Sequence, residues 1–131
     1  MGGKGFLAHL ATDGFRVRIQ DIDEDVIAPI RAIGGVKRSG THEGLAPAEF
    51  VTTDLARAVD GAALIIVCTY GTDHDRVAVE LAPLLRDGQI VLLVQGHFLG
   101  AHLFRTMLAR AGCTAKVAFA EMDSYTYMVG I

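Results

Sequence analysis

Two runs, Ala62-Ala-Leu-Ile-Ile-Val-Cys-Thr69 and Gln89-Ile-Val-Leu-Leu-Val-Gln95, are almost wholly apolar and rich in β-branched residues. Neither has a polar face to show to water, so each reads as a strand covered on both sides, the habit of parallel sheets. Between them, Thr72-Asp-His-Asp75 has the form of a capping box with Asp in place of Glu, predicting a helix to about Leu85. Pro83 limits its last turn, and Asp87-Gly88 turns the chain into the second run. Gly96 and Gly100 then flank the start of a helix through about Ala111, ended by Gly112, and Thr114 to Ala120 predicts a last strand.

The first half follows the same rhythm. Gly2 to Ala11 fits a helix, with Phe6, Leu7, Leu10 and Ala11 on one face, and Asp13-Gly14 ends it. Phe15-Arg-Val-Arg-Ile-Gln-Asp21 alternates apolar and polar, the mark of a strand. Asp23 caps a helix through about Ala32, with a late start or a bend expected at Pro29, and Gly34-Gly35 closes it. Val36-Lys-Arg-Ser39 and Glu49-Phe-Val-Thr52 read as short strands around a polar loop holding His42, Glu43 and Gly44. Thr53 or Asp54 caps a brief helix, Leu55 to Val59. Strands alternating with helices indicate an α/β doubly wound parallel sheet, Rossmann-like, and no linker or repeat divides the 131 residues.

The first twenty-one residues carry the chemistry of such a fold. Gly2-Gly3 before a helix reads as the tail of a glycine loop whose backbone approaches pyrophosphate. Asp21 ends the next strand eighteen residues after Gly3, near the roughly twenty expected for the acid that holds the adenosine ribose hydroxyls. A carboxylate there repels a 2′-phosphate and so favours NAD over NADP. Without that ligand, Asp21 is an ordinary solvated strand-end acid and the glycines a loose terminus. The strand and leading glycines of the motif are not in the sequence. The expectation is a sheet lacking its first strand, between those ending in Asp21 and Thr69, and NADH affinity no tighter than millimolar.

Ligands of open α/β sheets bind beyond the carboxyl ends of the strands. Tyr70 after one buried run and Gly96 after the other are therefore candidate cofactor contacts, against ordinary loop punctuation. His97 and Glu121, also at strand ends, are candidate substrate contacts, against solvated side chains. The five histidines show no metal-binding spacing, and Cys68 within a buried strand should be inert. Net charge −3 gives no basic footprint for nucleic acid, and apolar runs of about eight residues are too short to cross a membrane. No charged head followed by an apolar stretch opens the given sequence, so no signal peptide is expected, and two cysteines without metal spacing suit reduced thiols in a cytoplasmic protein.

Four stretches resemble the N-terminal, NAD-binding domain of the octopine/nopaline (opine) dehydrogenase family. They are Gly2-Gly-Lys-Gly-Phe-Leu-Ala-His-Leu-Ala11, Val51-Thr-Thr-Asp-Leu-Ala-Arg-Ala-Val-Asp-Gly-Ala-Ala-Leu-Ile-Ile-Val67, Leu81-Ala-Pro-Leu-Leu-Arg-Asp-Gly-Gln-Ile-Val-Leu92 and Val117-Ala-Phe-Ala-Glu-Met-Asp-Ser-Tyr125. The resemblance implies an NAD(P)H-dependent oxidoreductase that joins an amino acid to a 2-keto acid, and a homo-oligomer is compatible with it. It places cofactor roles on Gly2, Gly3 and Asp21, with Gly96 toward the nicotinamide. The family's catalytic pair belongs to a helical C-terminal domain outside these residues, so the catalytic residues are unknown here and the 131 residues alone are expected to be inactive. The family's Asn-Pro-Gly appears as Val94-Gln95-Gly96 and its Glu-Thr as Glu121-Met122, which puts a hydroxyl-based substrate contact in doubt. Ketopantoate reductases, glycerol-3-phosphate dehydrogenases and 6-phosphogluconate-type enzymes share much of this frame. A non-catalytic nucleotide-binding module and a decayed gene product stay open beside the enzyme reading.

Overall fold

A computed structural model describes residues 2–39 and 43–124; His42, Tyr125 and Tyr127 lie outside the described residues. The chain is α/β, with parallel strands joined through helices as in Rossmann-like folds. It forms two compact units dividing between Ala58 and Val59, a division that no composition shift in the sequence marks.

In the first unit, α1 (Gly2–Thr12) buries Gly2, Gly5 and Leu7 and stops where Gly14 takes a φ of 87°. Strand β1 (Arg18–Gln20) is shorter than its alternating pattern, because Phe15 is 63% exposed and lies outside the ladder. Helix α2 (Glu24–Ile33) runs through Pro29 without a late start. Asp23 caps it, accepting from the Asp25 N–H at 2.9 Å, and Gly34 closes it in the left-handed conformation. The segment after it differs from expectation. Strand β2 (Gly35–Arg38) pairs antiparallel with β3 (Gly44–Pro47), and β4 (Phe50–Thr52) pairs parallel with β1. Gly44-Leu-Ala-Pro47 carries two residues that weaken strand propensity, which hides β3 in the sequence. Gly35 is required by this hairpin, since a Cβ there would meet the Ala46 carbonyl oxygen at 2.1 Å. Ile27, Ile30 and Val51 form the buried centre, with Ile19, Val36 and Ala48 against it.

Helix α3 (Leu55–Val59) stands at the division, capped by Asp54, which accepts from the Arg57 N–H at 3.1 Å. In the second unit, β5 (Leu64–Val67), β6 (Ile90–Leu93) and β7 (Ala118–Glu121) form a parallel sheet in that order. The reading of β5 as a strand buried on both faces is corrected: it is an edge of its sheet, Leu64 is 43% exposed, and Ile65 and Ile66 are half-buried. Apolar runs look alike in sequence, and only pairing decides which is central. That place belongs to β6, whose Val91 and Leu93 are fully buried. Among the described residues, β1 and β5 each have a strand on one side only.

The capping box also fails. A 3₁₀ turn (Gly71–Asp73) intervenes, α4 (His74–Leu81) begins later, and Asp73 makes no side-chain cap bond. Helix α5 (Gly100–Arg110) packs against α4 and buries Phe104 and Leu108. Gln89 is a buried polar side chain with its amide fully used. It donates to the Ala62 carbonyl at 2.8 Å and the Val59 carbonyl at 3.2 Å, and accepts from the Arg86 N–H at 2.8 Å. It ties the entrances to β5 and β6 together.

Candidate functional site

The carboxyl ends of the parallel strands hold the candidate residues, and each unit has its own set. In the first unit, the Asp21 N–H continues the ladder to the Thr52 carbonyl at 3.4 Å. Asp21 Oδ1 then accepts from the Asp23 N–H at 3.1 Å, and Asp23 turns to cap α2. Two successive aspartates thus have distinct tasks. Asp23 serves the helix, while Asp21 keeps Oδ2 without a hydrogen bond among the described residues, half-buried and able to accept from a ligand's hydroxyl groups. Gly2 and Gly3 occupy the first turn of α1, where backbone N–H groups lack intrahelical acceptors. Gly2 is buried. A Cβ at Gly3 would meet nothing within 4 Å, so no described neighbour demands glycine there. A cavity of about 460 Å³ in this unit is lined by Arg31, Phe50, Thr52 and Arg57 among others and includes none of the predicted residues.

The second unit brings two predicted residues into contact. A Cβ on Gly96 would lie 2.4 Å from Glu121 Cβ, so glycine is obligatory there for a reason that needs no cofactor. The Gly96 N–H donates to the Met122 carbonyl at 3.2 Å, and the Met122 N–H donates to the Leu93 carbonyl at 2.8 Å. Glu121 Oε2 accepts from the Ala101 N–H at 2.6 Å, in the first turn of α5. The helix has Leu99 at its N-cap with no side-chain bond, so a carboxylate from β7 supplies the negative charge its N-terminus favours. Glu121 is therefore engaged with the fold, and one residue holds both ends of the 96–99 loop. Within that loop His97 and Leu99 take φ of 50° and 61°, uncommon for residues with a Cβ and a feature that concentrates at functional loops. His97 is exposed and Phe98 is 91% exposed. Tyr70, 69% exposed, leads the 3₁₀ turn after β5, and its carbonyl accepts from the Asp73 N–H at 2.9 Å.

His74 is the residue the sequence reading left without a role. It opens α4, only 6% exposed, and meets Phe104 edge to face at 5.6 Å. Burial lowers its pKa below the ordinary histidine value, against the raising effects of Asp73, a bond to the Thr69 backbone and Asp75. Its position four residues beyond a strand-end Tyr was the available signal. Burial also pushes the Cys68 thiol up to about 11, so it stays protonated and unreactive. Among the described residues no three His, Cys, Asp or Glu side chains gather to hold a metal, and no helix is long and apolar enough to cross a membrane.

No protein-family model matches the chain. Among curated proteins it is similar to an opine dehydrogenase of Arthrobacter sp. (strain 1C), 31% identical over 127 residues. The match takes in 96% of this chain and 35% of that protein, so the chain spans about a third of the length of the relative it matches.

Proposed function

Taking that relationship as the premise, we propose that the chain is the nucleotide-binding part of an NAD(P)-dependent oxidoreductase of the opine dehydrogenase kind. The activity to which it contributes is the reductive joining of an amino acid to a 2-keto acid. The observation that carries the reading is Asp21, at the carboxyl end of a parallel strand that follows a glycine-led helix. Its free oxygen suits the paired hydroxyls of an adenosine ribose, and its charge opposes a 2′-phosphate. NAD is therefore the preferred cofactor and NADP the weaker one. Gly2 and Gly3 supply backbone N–H groups at a helix N-terminus for the pyrophosphate. In the second unit, Tyr70, Gly96 and His97, at strand ends, are the proposed contacts for nicotinamide and substrate, and Glu121 acts by holding the loop that carries His97.

A bound nicotinamide would supply the hydride. The part assigned to these residues is to bind and orient it; proton transfer to the substrate falls to none of them. The protein is proposed to work in the cytoplasm on small molecules. The test is a titration with NADH and NADPH followed by amide NMR, which reads millimolar binding. NADH should bind more tightly than NADPH, and Asp21→Ala should weaken NADH and narrow the gap. Equal binding of both by the unaltered chain, or an Asp21→Ala protein with undiminished preference, overturns the ribose assignment.

A further inference from the structure

The cavity of about 460 Å³ in the first unit runs beside β4, an edge strand paired only with β1 among the described residues. The acceptors along it are already taken. The Val51 carbonyl accepts from Arg31 Nε at 3.1 Å, the Thr52 carbonyl from the Asp21 N–H at 3.4 Å and the Thr53 carbonyl from Gln20 Nε2 at 3.2 Å. The Glu49 carboxylate is held by Arg18 at 2.7 Å and Arg16 at 3.5 Å. Two donors are left over, for the Arg57 guanidinium and the Thr53 hydroxyl make no hydrogen bond or ion pair among the described residues. Arg57 is exposed, yet its guanidinium carbon lies 4.5 Å over the Phe50 ring, with Arg18 at 5.0 Å from the same ring. Stacking of this kind orients the guanidinium plane and leaves its N–H edges free to donate.

We infer that this cavity is a binding site for a small organic monocarboxylate. The carboxylate accepts two parallel N–H bonds from Arg57 and one from the Thr53 hydroxyl, and the body of the acid lies against Ala48 and Val51. Charge selects the same ligand. Arg31 is matched by Glu24, Glu49 by Arg18 and Arg16, and Asp54 turns its carboxylate to the α3 backbone. Arg57 is therefore the one charged side chain lining the cavity without an opposite partner among the described residues. A phosphate dianion brings more charge than Arg57 can match and meets Glu49 in the same wall, so it is the weaker ligand. The site does not depend on the nucleotide reading, since none of Gly2, Gly3 and Asp21 lines it.

The probes are the sodium salts of butyrate, acetate, phosphate and chloride, each titrated separately while the backbone amides and the Arg57 Nε–H are followed by NMR. Butyrate should give saturable shifts confined to the cavity wall and Arg57. Acetate should bind about fourfold more weakly, the factor that one buried methylene brings. Phosphate should be weaker than acetate, and chloride, the control for screening, should give no saturable change. Arg57→Ala should weaken butyrate by more than about tenfold, as loss of a charge-assisted hydrogen bond does, and Thr53→Val by about fivefold, the worth of a neutral one. Both positions are exposed, so the amide spectra of the variants should otherwise match that of the unaltered chain. Shifts that chloride reproduces make Arg57 an ordinary solvated surface charge and overturn the site, as does an Arg57→Ala protein that binds butyrate undiminished. Acetate equal to butyrate, or phosphate tighter than both, overturns the organic acid as its ligand.

Discussion

The strand ends of the two units are held in opposite ways. In the first, the turns are held mainly by local bonds, with Gln20 Nε2 donating across to the Thr53 carbonyl at 3.2 Å as an exception: Asp21 accepts from Asp23, Asp23 from Asp25, Thr52 from Asp54 and Asp54 from Arg57. These short polar side chains fold the backbone onto itself within two or three residues. In the second, the ends are held across the fold. Glu121 reaches Ala101 and excludes any side chain at Gly96, and Gln89 bonds to Val59 and Ala62. A locally tied end leaves its carboxylate open to a ligand and tolerates change. A cross-tied end fixes a strained loop in place, and each tie is a single point of failure.

The contrast can be broken by substitution. Gly96→Ala should do most damage, about 3 kcal/mol at the upper end of overpacking costs, read as a fall in denaturation midpoint. Adding Glu121→Gly should relieve it while Glu121→Ala should not, because the clash is with Glu121 Cβ. Relief by the alanine variant would mean that the loop moves freely. Gln89→Ala comes next, at about 2 kcal/mol, since it takes the side-chain partner from the Ala62 carbonyl and the Arg86 N–H, while the Val59 carbonyl keeps the Ala62 N–H at 3.0 Å. Glu121→Ala on its own should cost about 1 kcal/mol, the worth of a helix cap. Asp21→Ala should change stability by no more than about 0.5 kcal/mol, because the one bond it removes, from the Asp23 N–H, is open to water, while weakening NADH. A larger loss would make Asp21 a structural residue.

His74 adds a pH arm to the same comparison. Burial holds its folded pKa below the unfolded value of about 6.5, so the unfolded chain takes up the proton first as pH falls. Stability is unaffected above that value and declines as pH drops from about 6.5 toward the folded pKa. Denaturation midpoints of the unaltered chain should therefore fall over that window relative to His74→Phe, which keeps an aromatic ring against Phe104 and cannot titrate. Parallel pH profiles for the two proteins would show that the imidazole stays solvated.

The same difference explains what could be read from the residues alone. The turn at Asp13-Gly14, the cap at Asp23 and the helix start after Asp54 were legible because their causes lie within a few positions of one another. The α/β class and the resemblance to opine dehydrogenases were legible for a related reason, since alternating strands and helices and short stretches of sequence are local patterns. Strand β3 was not, since its glycine and proline argue against a strand and only its partner β2 makes it one. The edge position of β5 and the Gly96–Glu121 contact were hidden because they join residues remote in sequence. Glu121 was noticed for its place at a strand end, but its work as a cap for α5 needed the three-dimensional pairing of β6 with β7. His74 was passed over because the capping-box pattern marks only the start of a helix and says nothing of burial, whereas the structure opens α4 at His74 after a 3₁₀ turn and buries its side chain.

The central claim is that nucleotide meets this chain at the carboxyl ends of its parallel strands. Mapping amide NMR shifts on titration with NADH tests it most directly. The account predicts changes concentrated at residues 21–24, 69–74 and 96–97, with the opposite strand ends silent. Changes confined to the cavity beside Arg31 and Arg57, or none at millimolar nucleotide, would contradict it.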